Sequence, residues 1–340
     1  MKGARTAILW LAGVVLGGVF LWLALRAIDL HAVLSILSRT SPLDVLGIVG
    51  CAVAFVGLKA LRWAYLIRHL QPVSPRYLID PTLAGIAVNY GVPHSGELVR
   101  TWMVAQRENL PKASLLASIA VERLFDFCAT LLLGLVALLA GHAVADTLGS
   151  YLWALLLFIG IALAAALPFL FWPRRSLDVS RSMLKPLPTP ACKWILRHLQ
   201  HGIEGLGSLQ QASTALKVLG LSVMQWGLMA GCIWLSLRAV GIAPEPAVAL
   251  VILLLLVVAL ILPTAPGQVG TTQIAFLLGA TPFGLDQEAV IAGSLLYNVF
   301  VPVPLIIAAV GILLAQGACK RLVRHRVPGP FTVRRLSRRG

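Results

Sequence analysis

Apolar runs long enough to cross a bilayer recur along this sequence, and they constrain its fold more than any other feature. A membrane-spanning helix needs about 20 consecutive, largely apolar residues. Segments 7–25, 43–67, 114–140, 151–172, 216–237 and 289–316 each read as such a span. Of the 340 residues, 59% are hydrophobic and 12% are charged, whereas a soluble domain carries roughly a quarter charged residues. So little charge cannot cover a water-facing surface, and the bilayer is read as the main solvent. The runs are continuous rather than alternating, which excludes an outer-membrane barrel. The first run is followed by Arg26 without a small-residue cleavage site, so it does not read as a cleavable signal.

Two further apolar stretches are interrupted. Segment 78–92 breaks at Gly91, Pro93 and Gly96; segment 246–262 breaks at Pro263, Pro266, Gly267 and Gly270 before a second short piece, 272–280. Charge placement decides how they are threaded, because Lys and Arg collect on cytoplasmic loops. With the N-terminus inside, and with both broken segments dipping in and returning, only Arg26, Arg39 and Arg238 fall outside. Making either segment a full span puts a basic stretch on the wrong side. The first hairpin then enters from the cytoplasm and the second from the opposite face, so the two halves are inverted copies in topology. Broken helices in inverted repeats are a transporter architecture.

The formal net charge of +15 follows from the same bias and from attraction to anionic lipid; nucleic acid is not an expected partner. Within segment 173–215, residues 190–209 carry Ile195, Leu196, Leu199, Ile203 and Leu206 near helical spacing, which fits either an amphipathic helix on the inner leaflet or a plain linker helix. The five cysteines and seven histidines show no metal-ligand spacing, so no metal or cofactor is expected.

Ionisable residues at membrane depth usually mark a pathway. Glu97 and Arg100, spaced i, i+3 after the first break, either pair on one helix face or serve a ligand. Glu122, Arg123 and Asp126 stand within the third apolar run. Two carboxylates against one arginine require another cation, and Arg100, Arg62 or Lys59 can supply it. A lone carboxylate pair also admits acid–base chemistry, but no nucleophile–histidine constellation accompanies it. At the second break, Gly267 and Gly270 allow close backbone approach. Thr271, Thr272 and Gln273 begin the return helix, whose N-terminus favours an anionic group. Tyr297 and Asn298, next to Pro302 and Pro304, read as a kink with a polar partner.

The stretches Gly96-Glu97-Leu98-Val99-Arg100, Val121-Glu122-Arg123-Leu124-Phe125-Asp126 and Pro266-Gly267-Gln268-Val269-Gly270-Thr271-Thr272-Gln273, in this order and spacing, resemble the lysylphosphatidylglycerol synthase transmembrane region, or flippase-like, family. The resemblance covers nearly the whole chain. It implies a lipid-translocating membrane domain, since the family includes the membrane half of enzymes that make and flip aminoacylated phosphatidylglycerol. Stand-alone members are associated with lipid-linked glycans or hopanoids. In the bifunctional members a soluble aminoacyltransferase follows; here a short basic tail follows Gln316, so a stand-alone member and no enzyme is expected. Many members carry Glu where Gln273 stands and Arg or His near Asn298; both positions are neutral here, which leaves no charged pair at the second hairpin.

The expected architecture is all-α: a polytopic membrane helix bundle of about six full spans plus two re-entrant broken-helix hairpins in an inverted-repeat arrangement. A single transmembrane domain is expected over 1–316, in halves 1–172 and 216–316 around linker 173–215, with a cytoplasmic tail at 317–340. The expected function is a flippase-like transporter of an anionic or modified lipid across the inner membrane, with both termini cytoplasmic. The expected substrate-binding residues are Glu97, Arg100, Glu122, Arg123, Asp126, Arg62, Pro266, Gly267, Gly270, Thr271, Gln273 and Asn298. Anionic lipid headgroups are the expected partners; envelope lipid or glycan biosynthesis enzymes and further copies of the chain stay open. The alternatives are a membrane-embedded transferase using Glu122 or Asp126 as base, and a scaffold of an envelope complex.

Overall fold

Proline and capping residues set the helix boundaries. The computed structural model describes residues 30–92, 95–140, 212–259 and 266–326, with isolated positions between 153 and 182. The first apolar run, most of the fourth, the linker helix at 190–209, the end of the tail, and Pro93, His94 and Pro263 lie outside the described residues. Every regular element described is helical: α1 (Leu30–Ser38), α2 (Pro42–Ile67), α3 (Pro75–Gly91), α4 (Gly96–Glu108), α5 (Lys112–Ala140), α6 (Ala212–Ala239), α7 (Pro246–Ala259), α8 (Thr271–Ala280), α9 (Gln287–Phe300) and α10 (Pro302–Arg326).

Pro42 occupies the first turn of α2, where its missing N–H costs nothing, and the Ser41 hydroxyl accepts from the Asp44 amide. The Asp286 carboxylate accepts from the Ala289 amide and starts α9 in the same way. Asn109, at φ 54°, ends α4 in the left-handed conformation that Asn tolerates.

Three stretches among the described residues are long and apolar enough to cross a membrane: Pro42–Ile67, Ser213–Ala239 and Gln287–Ala315. The last corresponds to the sixth expected span, but it is two helices rather than one. Pro302 and Pro304 cannot donate to the preceding turn, so the helix ends at Phe300 and restarts at Pro302. The segment between the first two apolar runs, to which sequence reading assigned no element, contains α1. Its Val33 packs with Ile291 and Ala292 of α9.

Helices α2 and α6 form the central pair. They run antiparallel: Asp44 meets Arg238 at one end and Arg62 meets Ser222 towards the other. Around this pair the packing is the same under exchange of two units. Helix α3 packs on α2 as α7 packs on α6, and α4 packs on α5 as α8 packs on α9. The units also cross over: α5 packs on α7, and α10 packs on α3. Each unit therefore consists of a long helix, a broken pair and a closing helix. The main apolar core lies along α2, α6, α7, α8 and α9, with Ile48, Ile233, Ile252 and Phe276 fully buried.

In the first broken pair, α3 and α4 touch through glycines. A Cβ at Gly96 would overlap the Gly85 carbonyl oxygen, so only glycine permits this approach. In the second, the turn Pro266–Gln268 between α7 and α8 packs against α3. The tip of one broken pair thus rests on an arm of the other.

Candidate functional site

Helical periodicity brings seven ionisable side chains to one place. Lys59 and Arg62 lie on one face of α2, Glu97 and Arg100 on one face of α4, and Glu122, Arg123 and Asp126 within about one turn of α5. The groups on α2 and α5 are each unbalanced alone, two cations on the first and two carboxylates against one arginine on the second. Packed together, they interlock.

Glu122 is the hub and is wholly buried. Its Oε1 accepts from Lys59 Nζ at 2.6 Å and lies 2.9 Å from Arg62 Nη2; its Oε2 accepts from Arg100 Nη2 at 3.0 Å. Asp126 Oδ1 accepts from Arg62 Nη1 at 2.6 Å and from Trp226 Nε1 at 2.8 Å. Asp126 Oδ2 accepts from Arg123 Nη1 at 3.3 Å, and Arg123 Nη2 reaches Glu97 Oε1 at 2.8 Å. Asn89 closes the first hairpin: its Oδ1 accepts from the Gly96 amide at 2.7 Å and its Nδ2 donates to Glu97 Oε2 at 3.2 Å. Arg62 Nη1 also donates to Ser222 Oγ at 2.7 Å, which ties the cluster to α6. The Arg100 guanidinium lies over the Trp63 ring, 4.7 Å from its centroid, and Trp63 Nε1 donates to Ser118.

The cluster thus joins four cations to three carboxylates, a formal excess of one positive charge. All six carboxylate oxygens have a donor. Removing charges from water costs several kcal/mol per ion even after relaxation, so the pairing is what makes the burial tolerable. It also holds each carboxylate in its charged form against a cation, which disfavours its taking a proton.

A cavity of about 190 Å³ opens against this cluster. Each wall is one face of one helix. Thr82, Gly85, Ile86, Asn89 and Tyr90 recur at three- and four-residue spacing on α3; Lys59 stands one turn beyond Phe55 on α2. Arg100, Arg123, Glu97 and Asp126 complete the charged side. Leu253, Leu256 and Val257 of α7 and Leu305 of α10 form an apolar side, and Tyr297 and Gln268 complete the lining. The cavity is smaller than the roughly 300–1,000 Å³ typical of sites that enclose a drug-sized ligand. A space of this size admits a small polar group rather than a whole lipid.

The structure brings Glu97, Arg100, Arg123 and Asp126 to the lining and sets Arg62 and Glu122 directly behind it. Glu97 and Arg100 do not pair with each other: Glu97 turns to Arg123 and Arg100 to Glu122, because α5 offers both of them partners. All three cations considered as counter-charges for α5, namely Lys59, Arg62 and Arg100, contact Glu122. The second break contributes differently. Gly267 and Gly270, at φ 74° and 85°, shape the turn, and Gln273 Oε1 accepts from the Gly270 amide at 2.7 Å. Gly267, Gly270, Thr271, Gln273 and Asn298 stand outside the cavity lining, and the Pro266 side chain is not among those described. Thr271 Oγ1, Gln273 Nε2 and Asn298 Nδ2 are buried without a hydrogen-bond partner among the described residues. The residue of this turn that reaches the cavity is Gln268, a non-glycine residue at φ 57°.

Sequence reading did not single out Asn89, Ser222, Gln225 or Trp226. Asn89 carried a signal: it is polar, seven residues before the Gly96 amide it caps. Ser222, Gln225 and Trp226 fall on one face of an apolar helix and look like ordinary membrane polar residues until α5 is packed beside them. Among the described residues no group of His, Cys, Asp and Glu is arranged to hold a metal ion.

Residues 10–309 match the family described as lysylphosphatidylglycerol synthase TM region. No curated protein matches the chain.

Proposed function

The chain belongs to the lysylphosphatidylglycerol synthase TM region family, and from that premise we propose that it is a flippase-like transporter. It accepts an anionic or modified lipid headgroup (of a phospholipid, a lipid-linked glycan or a hopanoid) in the charged cavity and passes it across the inner membrane. One observation carries this reading: the cavity between the two units is lined by Lys59, Arg100 and Arg123 and backed by a cluster with one excess positive charge. A buried, unbalanced cation cluster is costly, and an entering anion completes it.

The two broken pairs act as re-entrant hairpins of opposite entry within about six spans, with both termini in the cytoplasm. The contact of the second tip with α3 then acts as a closure between them. The drive is an ion gradient or the lipid's own concentration difference. The transferase alternative needs a carboxylate able to act as base, and the full pairing of Glu122 and Asp126 weighs against it.

The test is a scrambling assay in vesicles containing fluorescent lipids and the purified chain. The proposal expects transbilayer movement that falls at least about tenfold in Arg123→Gln, in line with the loss of one charge-assisted contact. A chemically altered lipid at the end of the assay would place the chain among the transferases. Charge-neutral variants that keep full cellular function would mark it as a scaffold.

A further inference from the structure

The polar groups of the cavity divide sharply into those already paired and those left over, and the leftovers define a chemistry. Every carboxylate oxygen at the site already has a donor, so an incoming ammonium must compete with resident donors for it and meets Lys59, Arg100 and Arg123. What remains unpaired is different in kind. Arg100 Nη1 is a buried donor without a hydrogen-bond partner among the described residues. Lys59 gives one bond to Glu122 and has further N–H groups facing the same space. Gln225 Oε1 is a buried neutral acceptor and Thr82 Oγ1 a buried hydroxyl, both without a partner among the described residues. A helical threonine ordinarily returns its hydroxyl to the carbonyl one turn back; Thr82 does not.

Arg100, Thr82 and Gln225 are each at most 2% exposed, and all three line this one cavity. Unpaired polar groups at such depth are retained at a cost unless a ligand meets them. Their types are specific: spare cationic donors beside spare neutral groups that take or exchange a hydroxyl hydrogen bond.

We propose that the cavity recognises a phosphate-type anion that carries free hydroxyls and rejects a headgroup that carries an ammonium. Arg100 and Lys59 hold the anionic oxygens; Gln225 Oε1 and Thr82 Oγ1 take the hydroxyls. This rests on the cavity being the headgroup site proposed above. It departs from the aminoacylated, amine-bearing lipid in the family's descriptive name, because each carboxylate described at the site is already held by a cation of the cluster. Discrimination of this kind comes from groups left unpaired or opposed by the wrong ligand.

The test is competitive lipid binding to the purified full chain in detergent, read by native mass spectrometry. Phosphatidylglycerol, phosphatidic acid, phosphatidylethanolamine and lysylphosphatidylglycerol are compared with matched acyl chains. The expected result is phosphatidylglycerol bound at least about tenfold over both amine-bearing lipids and several-fold over phosphatidic acid. In Thr82→Val combined with Gln225→Met the preference over phosphatidic acid disappears, while that over phosphatidylethanolamine persists. Equal binding of either amine-bearing lipid overturns the proposal, as does a double variant that still prefers phosphatidylglycerol to phosphatidic acid.

Soluble competitors separate the sources of the anion. Displacement of lipid by glycerol phosphate, and not by inorganic phosphate, keeps the proposal and assigns it to a soluble hydroxylated phosphate as well. Equal displacement by inorganic phosphate overturns the hydroxyl requirement. Selective binding without any lipid movement in vesicles would sink the transport reading and leave this one standing. Movement of all lipids alike, with no selective binding, would do the reverse.

Discussion

Replacing Glu122 by Gln is the sharpest perturbation of the charged cluster, because it changes charge with almost no change in shape. Glu122 is fully buried and accepts from Lys59 and Arg100, with Arg62 Nη2 at 2.9 Å. The native cluster sets four cations against three carboxylates; the variant sets four against two, and the loss falls where three of those cations converge. Breaking a buried ion pair from one side costs about 3–5 kcal/mol, since the partners stay buried and unpaired. A large domain loses about 2 °C per kcal/mol, so the thermal midpoint in detergent is expected to fall by about 6–10 °C. Lys59→Met alone removes a cation from a cluster that has one in excess and is expected to cost no more than about 2 kcal/mol. The double variant returns to an excess of one, so it should be at least about 1 kcal/mol more stable than the sum of the two single effects. Thermal unfolding of the four proteins at one scan rate, followed by tryptophan fluorescence, measures this. A Glu122→Gln protein that melts with wild type, or strictly additive effects, would refute the reasoning.

Gly96→Ala is expected to push α4 off α3, because the added methyl group overlaps the Gly85 carbonyl. The cost is about 1–3 kcal/mol of overpacking, seen as a lower thermal midpoint together with lost lipid movement. Asn89→Leu removes the bridge to the Gly96 amide and to Glu97, and should lower stability by about 1–3 kcal/mol through the unmet partners. Gln268→Gly relieves a left-handed conformation at φ 57°, a strain worth about 1–2 kcal/mol. Because Gln268 also lines the cavity, that variant should melt higher while transporting less. Arg238→Gln breaks the pair with Asp44, but the arginine is half exposed, so the change is expected to stay under about 1 kcal/mol and within roughly 2 °C in the same melting assay.

Particular elements show where sequence reading succeeds and where it stops. The span 43–67 appears as α2 almost residue for residue, because run length and the proline at its start are both local signals. The two interruptions appear as breaks between α3 and α4 and between α7 and α8 for the same reason. Helix α1 escaped because nine residues are too few to register as a span, although Val33, Ile36 and Leu37 already sit at helical spacing. The expected single helix 289–316 divides because Pro302 removes an amide that an apolar count does not register. At the site, the charged residues of α4 and α5 were evident as charges out of place. Gln225 and Trp226 were not, because a polar side chain on an apolar helix has no distinguishing mark until its partner is known.

By itself, then, the amino-acid sequence determined a helical membrane chain, the position of its two breaks, and which ionisable residues are stranded in apolar surroundings. Those are consequences of run length, backbone chemistry and solvation, all of which act within a few residues. Only the tertiary structure decided which charge answers which. Glu122 takes Lys59 from 63 residues away and Arg100 from 22, while Asp126 takes Arg62 from 64. Coulomb attraction and hydrogen bonding depend on distance through space, and that distance exists only once α2, α4, α5 and α6 are packed. Among the described residues the same packing left one cation in excess and three buried polar groups unmet beside a cavity, and the site's proposed chemistry rests on that remainder.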